Sequence, residues 1–399
     1  MSHFTSLSAV PADPVLGVME ALAADPSPDK VDLGVGVYLD ETGRLPLMRC
    51  VAAVEADLAA QHRPRGYLNQ TGYPGYTAAV QALVFGDPAV AERTASLQAL
   101  GGTGALRVGA GLLALASPDA AVWLSDPSWE NHELLFTRAG FRTQRYRYYD
   151  PAARGIDVDG MLDDLSHAEP GGVVVLHACC HNPTGYDLGP ADWDRVIETV
   201  EERGLTPFLD LAYQGLSQGV EQDRAAVEAF VRSGLPFLLA NSFSKNFGLY
   251  GERTGAIHFV ASDAGEAARV LSQAKTVVRS LYSNPPTQGA AIVTGVLTDP
   301  ERHAMWEDEL EGMRRRIIGM RVALRAGLEA AGVDQDVGYI TAQAGLFSYS
   351  GLSASQMQRL RGEFHVYGLD SGRICMAGLN PANLDRTVAA FAAVMRQPG

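Results

Sequence analysis

A repeating alternation of short apolar runs with segments of helical period constrains this chain more than any other feature. The runs AVWLSD (121–126), VVVLH (173–177), PFLDL (207–211), PFLLAN (236–241) and GAIHFV (255–260) are close to continuously apolar rather than alternating. A strand of that kind is covered on both faces. Between them lie ALRVGAGLLALA (105–116), which reads as a buried helix, and the helical pattern ADWDRVIETVEERG (191–204). Strand and helix in alternation predict an α/β fold with a mostly parallel sheet between helices.

With 399 residues the chain exceeds the size at which a single core usually stops growing, so a large domain and a smaller one are expected. Residues 1–13 read as an extended N-terminal arm, of the kind that embraces a second subunit. The charged, helix-favouring run over 301–332 predicts one long helix ending near Gly332. At about 1.5 Å per residue it spans roughly 48 Å, enough to link two domains. The segment beyond it, with AGLFSYSG (344–351) and SGRICMAG (371–378), reads as a smaller α+β unit.

Charge and cysteine usage exclude several function classes. A formal net charge of −14 opposes a nucleic-acid partner, whose phosphates call for clustered Lys and Arg. No stretch approaches the roughly 20 apolar residues of a membrane helix, and the first residues lack a basic region followed by an apolar core. Cys50, Cys179, Cys180 and Cys375 fit neither a disulfide framework nor paired metal-ligand spacing. A reducing, cytoplasmic setting and no bound metal are the expectations.

In open parallel sheets, ligands bind beyond the carboxyl ends of the strands, which directs attention to the residues that follow each apolar run. The strand at 207–211 carries Asp210, an acid that needs a cationic partner if buried. The strand at 173–177 ends in His177 and leads into HNPTG (181–185) with Asn182. The run at 236–241 leads into SFSKNFGLYGER (242–253), a Ser- and Gly-rich loop with Lys245 and Arg253. Earlier, GGTGALR (101–107) sets small residues at a helix N-terminus, where free backbone N–H groups can hold a phosphate. Each signal alone has a plain alternative. GGTGALR lacks both the ending of a nucleotide P-loop and the glycine spacing of a dinucleotide fold, and equally describes a turn capping a helix. A lone loop lysine is most often a solvated charge, Asp210 a helix cap or surface acid, and His177 a hydrogen-bonded core histidine.

Together, HNPTG, DLAYQG (210–215), SFSKNFGLYGER and SGRICMAG, in this order and spacing, resemble the fold-type I aspartate/aromatic aminotransferase family, which uses pyridoxal 5'-phosphate. The resemblance covers nearly the whole chain, from PADPVLGV (11–18) through DLGVGVYLDETG (32–43) and DPSWENH (126–132) to SGRICMAGLN (371–380). It implies a large domain over 46–311 with a mostly parallel seven-stranded sheet. A smaller α+β domain would be built from 14–45 and 312–399. Lys245 is similar to the Schiff-base lysine of the family, which also shuttles the proton of the reaction. The resemblance further implies that Asp210 pairs with the ring nitrogen, that His177 orients that carboxylate, and that Tyr213 and Asn182 bond the ring oxygen. Trp129 would stack on the ring, while Gly102, Thr103, Ser242, Ser244 and Arg253 hold the phosphate. Tyr67 matches the position that reaches the phosphate across a dimer interface, so a homodimer with shared active sites is implied. Arg373 resembles the arginine that grips the substrate α-carboxylate, and Arg279 the partner-subunit arginine for a side-chain carboxylate. Gly36 belongs to the substrate-lining segment.

On substrate preference the family's two branches divide this sequence. Leu39 and Leu45 stand where aspartate-specific relatives carry polar or small residues, and are expected to form apolar walls that favour aromatic side chains. Val37, Thr103 and Asn284 match the aspartate branch. An apolar contact discriminates by only about 1–3 kcal/mol, so two leucines tilt the preference without excluding aspartate. The expectation is an aromatic-amino-acid aminotransferase with aspartate activity that uses 2-oxoglutarate in a ping-pong mechanism. The alternative is an aspartate aminotransferase with little aromatic activity. A lyase or decarboxylase on the same fold is disfavoured by Arg279. A cofactor-binding regulator fused to a DNA reader is disfavoured by the missing helix-turn-helix, and a nicotinamide oxidoreductase by the missing glycine fingerprint.

Overall fold

Seven strands form the central sheet of the computed structural model, which describes residues 3–5, 7–9 and 13–396. They are β1 (Thr94–Leu100), β2 (Ala121–Asp126), β3 (Arg142–Arg147), β4 (Val173–His177), β5 (Thr206–Leu211), β6 (Phe237–Ser242) and β7 (Thr254–Val260). Their order is β1-β7-β6-β5-β4-β2-β3. β2 through β6 pair in parallel, and β7 runs antiparallel to both β1 and β6. Residues 1, 2, 6 and 10–12 of the arm expected over 1–13 lie outside the described residues.

The continuous apolar character of the inner strands has the consequence expected of it. Val173 and Val175 enter one core with Leu97, Leu106 and Phe208, whereas Val174 and Leu176 enter the opposite core with Trp193, Val196 and Leu209. Successive side chains point to opposite faces, so a strand without polar positions needs cover on both. One cover is α2 (Gly101–Ala116), which follows α1 (Pro14–Ala24). It begins within the GGTG segment rather than after it, because these small residues form the first turn themselves. After α3 (Glu130–Arg138), the other face is covered by α4 (Pro190–Arg203), which buries Trp193, Val196, Ile197 and Val200 at helical spacing and stops at Gly204, φ +60°.

The long helix predicted over 301–332 is α5 (Pro300–Ala330), about 46 Å at 1.5 Å per residue. Asp299 caps its first turn by accepting from the N–H groups of Glu301 and Arg302, at 3.0 and 3.1 Å. Trp306, Leu310, Met313, Ile317, Arg321, Leu324 and Leu328 are buried at intervals of three and four, one stripe down the helix. Near its start the Trp306 indole donates to the Asn246 carbonyl at 2.8 Å and stacks on Phe247, which braces the loop that carries Lys245. Further along, the buried Arg321 guanidinium donates to the carbonyls of Ile340 and Gly345, both at 2.9 Å, and to that of Phe347. There the antiparallel pair β8 (Phe347–Tyr349) and β9 (Arg373–Cys375) sets Tyr349 opposite Arg373. Val31–Asp32 pairs in parallel with Val366–Tyr367, which ties the start of the chain to its end.

Candidate active site

Strands β2, β4, β5 and β6 deliver their carboxyl ends to one edge of the sheet, and register fixes what faces what: His177 lies beside Asp210, and Asp210 beside Ala240. Because β7 returns antiparallel, the connection from Ser242 to Arg253 is confined to that same edge. A cavity of about 280 Å³ opens there. Its walls carry Gly102 and Thr103 from α2, Trp129, His177 and Asn182, Asp210 and Tyr213, then Ser242, Ser244, Lys245 and Arg253, with Gly36 and Arg373 opposite. Each of these is a residue that the sequence motifs single out, and the fold brings them together.

Asp210 is 5% exposed. Its Oδ2 accepts from His132 Nε2 at 3.1 Å, and His132 Nδ1 meets Ser128 Oγ at 2.9 Å. A carboxylate can only accept, so His132 Nε2 is the donor of the bond to Asp210. Burial alone would raise the Asp210 pKa. The hydrogen bond from His132, with electrostatic contributions from His132, His177 and Lys245, overcomes it and holds the acid below its ordinary value. Asp210 Oδ1, also buried, has no partner.

His132 corrects an expectation. His177 lines the cavity, but neither of its ring nitrogens has a hydrogen-bond partner, so it does not orient the carboxylate. Burial, reinforced by His132, pushes the His177 pKa down to about 3 and leaves it neutral. Its ring packs between those of His132 and His181, with centroids at 5.1 and 4.3 Å. A signal for His132 was present in DPSWENH: Ser128 and His132 stand four apart, which puts them within reach across the start of α3.

Lys245 is half-buried, and this environment drives its pKa down to about 8. Burial is the largest cause. The charge of Asp210 opposes it, while Arg253 and Arg373 add to it. The ammonium lies 5.1 Å from the Tyr213 ring centre. Burial and the Asp210 charge raise the Tyr213 phenol, with Arg373 pulling the other way. Asn182 Nδ2 donates to the Tyr213 hydroxyl at 3.5 Å.

At one end of the cavity the backbone closes tightly. Gly101 has φ +67°, and a Cβ there would sit 2.8 Å from the Arg253 guanidinium; one on Gly102 would sit 3.3 Å from Ser242 Cβ. The α2 N-terminus therefore needs its glycines to approach the Ser242–Ser244 pair, whose hydroxyls lie 3.1 Å apart. Free N–H groups, two hydroxyls and a guanidinium make this end an anion site. At the other end Arg373, 3% exposed, donates to Gly34 O at 3.1 Å and Asn182 Oδ1 at 3.4 Å. Its guanidinium lies 4.4 Å from the centre of the Phe347 ring.

Not every expected residue is here. Tyr67 is 95% exposed and Arg279 is exposed against Ser283, and neither borders the cavity within this chain. The apolar walls expected from Leu39 and Leu45 are also displaced. Leu39 is held by its backbone to Ala377 and Arg316, Leu45 is 52% exposed, and neither lines the cavity. Val15 from α1 and Phe347 from β8 supply apolar lining instead. A Cβ on Gly36 would meet the Phe347 ring at 2.6 Å, so that glycine admits the ring.

Comparison with known proteins agrees with this geometry. The family model described as aminotransferase class I and II matches residues 28–391. The aspartate aminotransferase of Pseudomonas aeruginosa is 50% identical over 398 residues, 99% of this chain and 100% of its own. The aromatic-amino-acid aminotransferase of Escherichia coli is 46% identical over 396 residues, 98% of this chain and 100% of its own. Among solved structures, an aromatic-amino-acid aminotransferase from Burkholderia pseudomallei, covalently bound to pyridoxal phosphate, superposes with a TM-score of 0.97 at 52% identity, covering 99% of this chain and 100% of that one. A match of that extent, on a fold that gathers these residues at one sheet edge, places the chain in the class I and II aminotransferase family.

Proposed function

We propose that this aminotransferase uses pyridoxal 5'-phosphate and moves the amino group between aromatic amino acids or aspartate and 2-oxoglutarate, with Lys245 as the residue that binds the cofactor covalently. The observation that carries the reading is a half-buried lysine whose pKa is lowered toward the neutral amine, sharing one cavity with a buried carboxylate whose Oδ1 lacks a donor. A protonated ring nitrogen would satisfy that oxygen, and the anion site formed by Gly102, Thr103, Ser242, Ser244 and Arg253 suits a phosphate. The cofactor supplies an aldehyde that captures amines and an electron sink for the carbanion at the substrate Cα.

The chain's own groups do the remaining work. Asp210, kept ionised by His132, fixes a positive charge at its free oxygen. Lys245 as a neutral amine takes and returns the Cα proton, which a lysine at its ordinary pKa could not do near neutrality. Tyr213 and Asn182 provide donors for the ring oxygen, and Trp129 an aromatic wall. Arg373 binds the substrate carboxylate through its planar fork. Asp210, Asn182, Tyr213 and Arg373 are buried around the cavity, which strengthens each interaction.

Substrate range follows from the walls. Val15 and Phe347 accept an aromatic side chain, and the proposed Arg279 of a partner subunit would accept a carboxylate. The exposure of Tyr67 and Arg279 supports a homodimer in which each serves the partner's site. Domains over 14–45 plus 312–399 and over 46–311, with an arm at 1–13, remain the proposed organisation; the Val31–Asp32 pairing with Val366–Tyr367 supports the two-segment smaller unit. Four free, buried cysteines support a cytoplasmic setting, and no described helix is long and apolar enough to cross a membrane. Comparing kcat/KM for phenylalanine, tyrosine and aspartate with 2-oxoglutarate tests the range. Efficiency with phenylalanine more than about 10³-fold below aspartate would favour the aspartate-specific alternative, since apolar contacts cannot account for so large a ratio.

Two further outcomes are expected. His132→Leu leaves Asp210 Oδ2 without its donor, and should lower kcat by about 10- to 100-fold while the protein remains folded by circular dichroism. Uptake of pyridoxal phosphate by the cofactor-free protein, followed by absorbance, should accelerate as pH rises through about 8, where the Lys245 neutral amine becomes the major form. A rate independent of pH between 6.5 and 9.5 would contradict that assignment.

A further inference from the structure

We propose that Glu130 acts as an internal stand-in for the substrate carboxylate, neutralising Arg373 between turnovers and thereby setting how tightly every carboxylate substrate binds. This inference rests on the reading of Arg373 as the carboxylate-binding residue. A guanidinium 3% exposed carries a large desolvation cost unless a counter-charge is near. Its hydrogen bonds go to neutral acceptors, Gly34 O and Asn182 Oδ1, and its Nε has no partner. Among the described residues, the carboxylate within ion-pair range is Glu130, with Oε2 at 3.7 Å from Nη1.

The geometry of that pair is what makes it exchangeable. At 3.7 Å the two groups attract without a hydrogen bond, so Glu130 compensates the charge and leaves the short, directional positions of the fork unused. A substrate carboxylate can fill those positions bidentately. Glu130 also has somewhere to go: its side chain is 34% exposed, whereas that of Arg373 is 3% exposed. Its backbone is fixed beside the cavity, because it opens α3 directly after Trp129. A carboxylate substrate must therefore displace a resident negative charge, and one with a second carboxylate brings more charge against it. Glu130 is a positioning residue for charge, not a participant in proton transfer.

The test is made on the holoenzyme with Glu130→Gln, which keeps shape and the helix start but removes the charge. KM for phenylalanine and 2-oxoglutarate, and Kd for 3-phenylpropionate read from the cofactor spectrum, are all expected to fall by about 3- to 10-fold, with kcat changed by less than about 2-fold. Glu133→Gln, in the same first turn and paired with Arg145, serves as the control and is expected to leave all three constants unchanged. Constants that stay at the wild-type value in Glu130→Gln, or rise, overturn the proposal, as does an equal fall in Glu133→Gln, which would assign the effect to the helix terminus. Arg373→Ala separates this from the parent reading. If that variant loses 3-phenylpropionate binding while Glu130→Gln is neutral, only the stand-in role fails; if it binds as wild type, the assignment of Arg373 fails as well.

Discussion

Lys245→Ala is expected to lower kcat for amino-group transfer by at least about 10⁴-fold with every substrate pair, because it removes both the covalent attachment and the base that moves the Cα proton. The size of the effect comes from the absence of a replacement. Asp210 is committed to His132 on one oxygen, and its pKa is held too low for it to act as a base near neutrality. Tyr213 is raised, so its phenol keeps its proton. His177 has an unpartnered ring, but its pKa near 3 makes it a weak base. Lys245→Arg should be no better than alanine, since a guanidinium stays protonated across the accessible pH range. Single-turnover kinetics with phenylalanine measure this directly, and a loss of less than 10-fold would remove Lys245 from the reaction.

Arg373→Ala is expected to reduce kcat/KM by about 10²- to 10³-fold for aromatic and acidic substrates alike, in keeping with the loss of a buried, charge-assisted partner. The loss should fall mainly on KM and on the Kd of carboxylate inhibitors. Arg373→Lys restores the charge but not the planar fork, and its single ammonium cannot reach Gly34 O and Asn182 Oδ1 while also binding two carboxylate oxygens. It should therefore remain at least about 10-fold below wild type. An effect confined to dicarboxylate substrates would instead assign Arg373 to the side-chain carboxylate.

The two arginines show what a sequence can and cannot convey. Arg373 was legible because it lies in β9 within a distinctive motif and its burial follows from pairing with β8. Arg279 was equally legible as a motif, yet within one chain it lies on the surface, because its proposed site belongs to another subunit. Continuous apolar runs revealed the inner strands β2, β4, β5 and β6 and also β7. They could not reveal that β7 runs in reverse, since direction depends on the connection rather than on strand composition. The edge strand β3, RTQRYR, escaped because its side chains are largely exposed and polar.

Errors in the site have the same origin. His177 follows the apolar strand and lies beside Asp210 in the sheet, so it was the natural candidate to hold that acid. Sheet neighbours are set by backbone register, however, and the bond comes from His132, 78 positions earlier in the chain. Motif position points to Leu39 and Leu45, but the backbone of Leu39 is held by Ala377 and the α5 side chain Arg316. Phe347 and Val15 fill the role from segments whose proximity only the folded chain establishes.

The chain has three lysines, Lys30, Lys245 and Lys275, which makes one experiment decisive for the central claim. Borohydride reduction of the holoprotein, followed by proteolysis and mass spectrometry, should place a single phosphopyridoxyl adduct on the peptide that contains Lys245 and leave the other two lysines unmodified. An adduct on Lys30 or Lys275 with Lys245 free, or no adduct on a protein shown to hold the cofactor, would contradict the account.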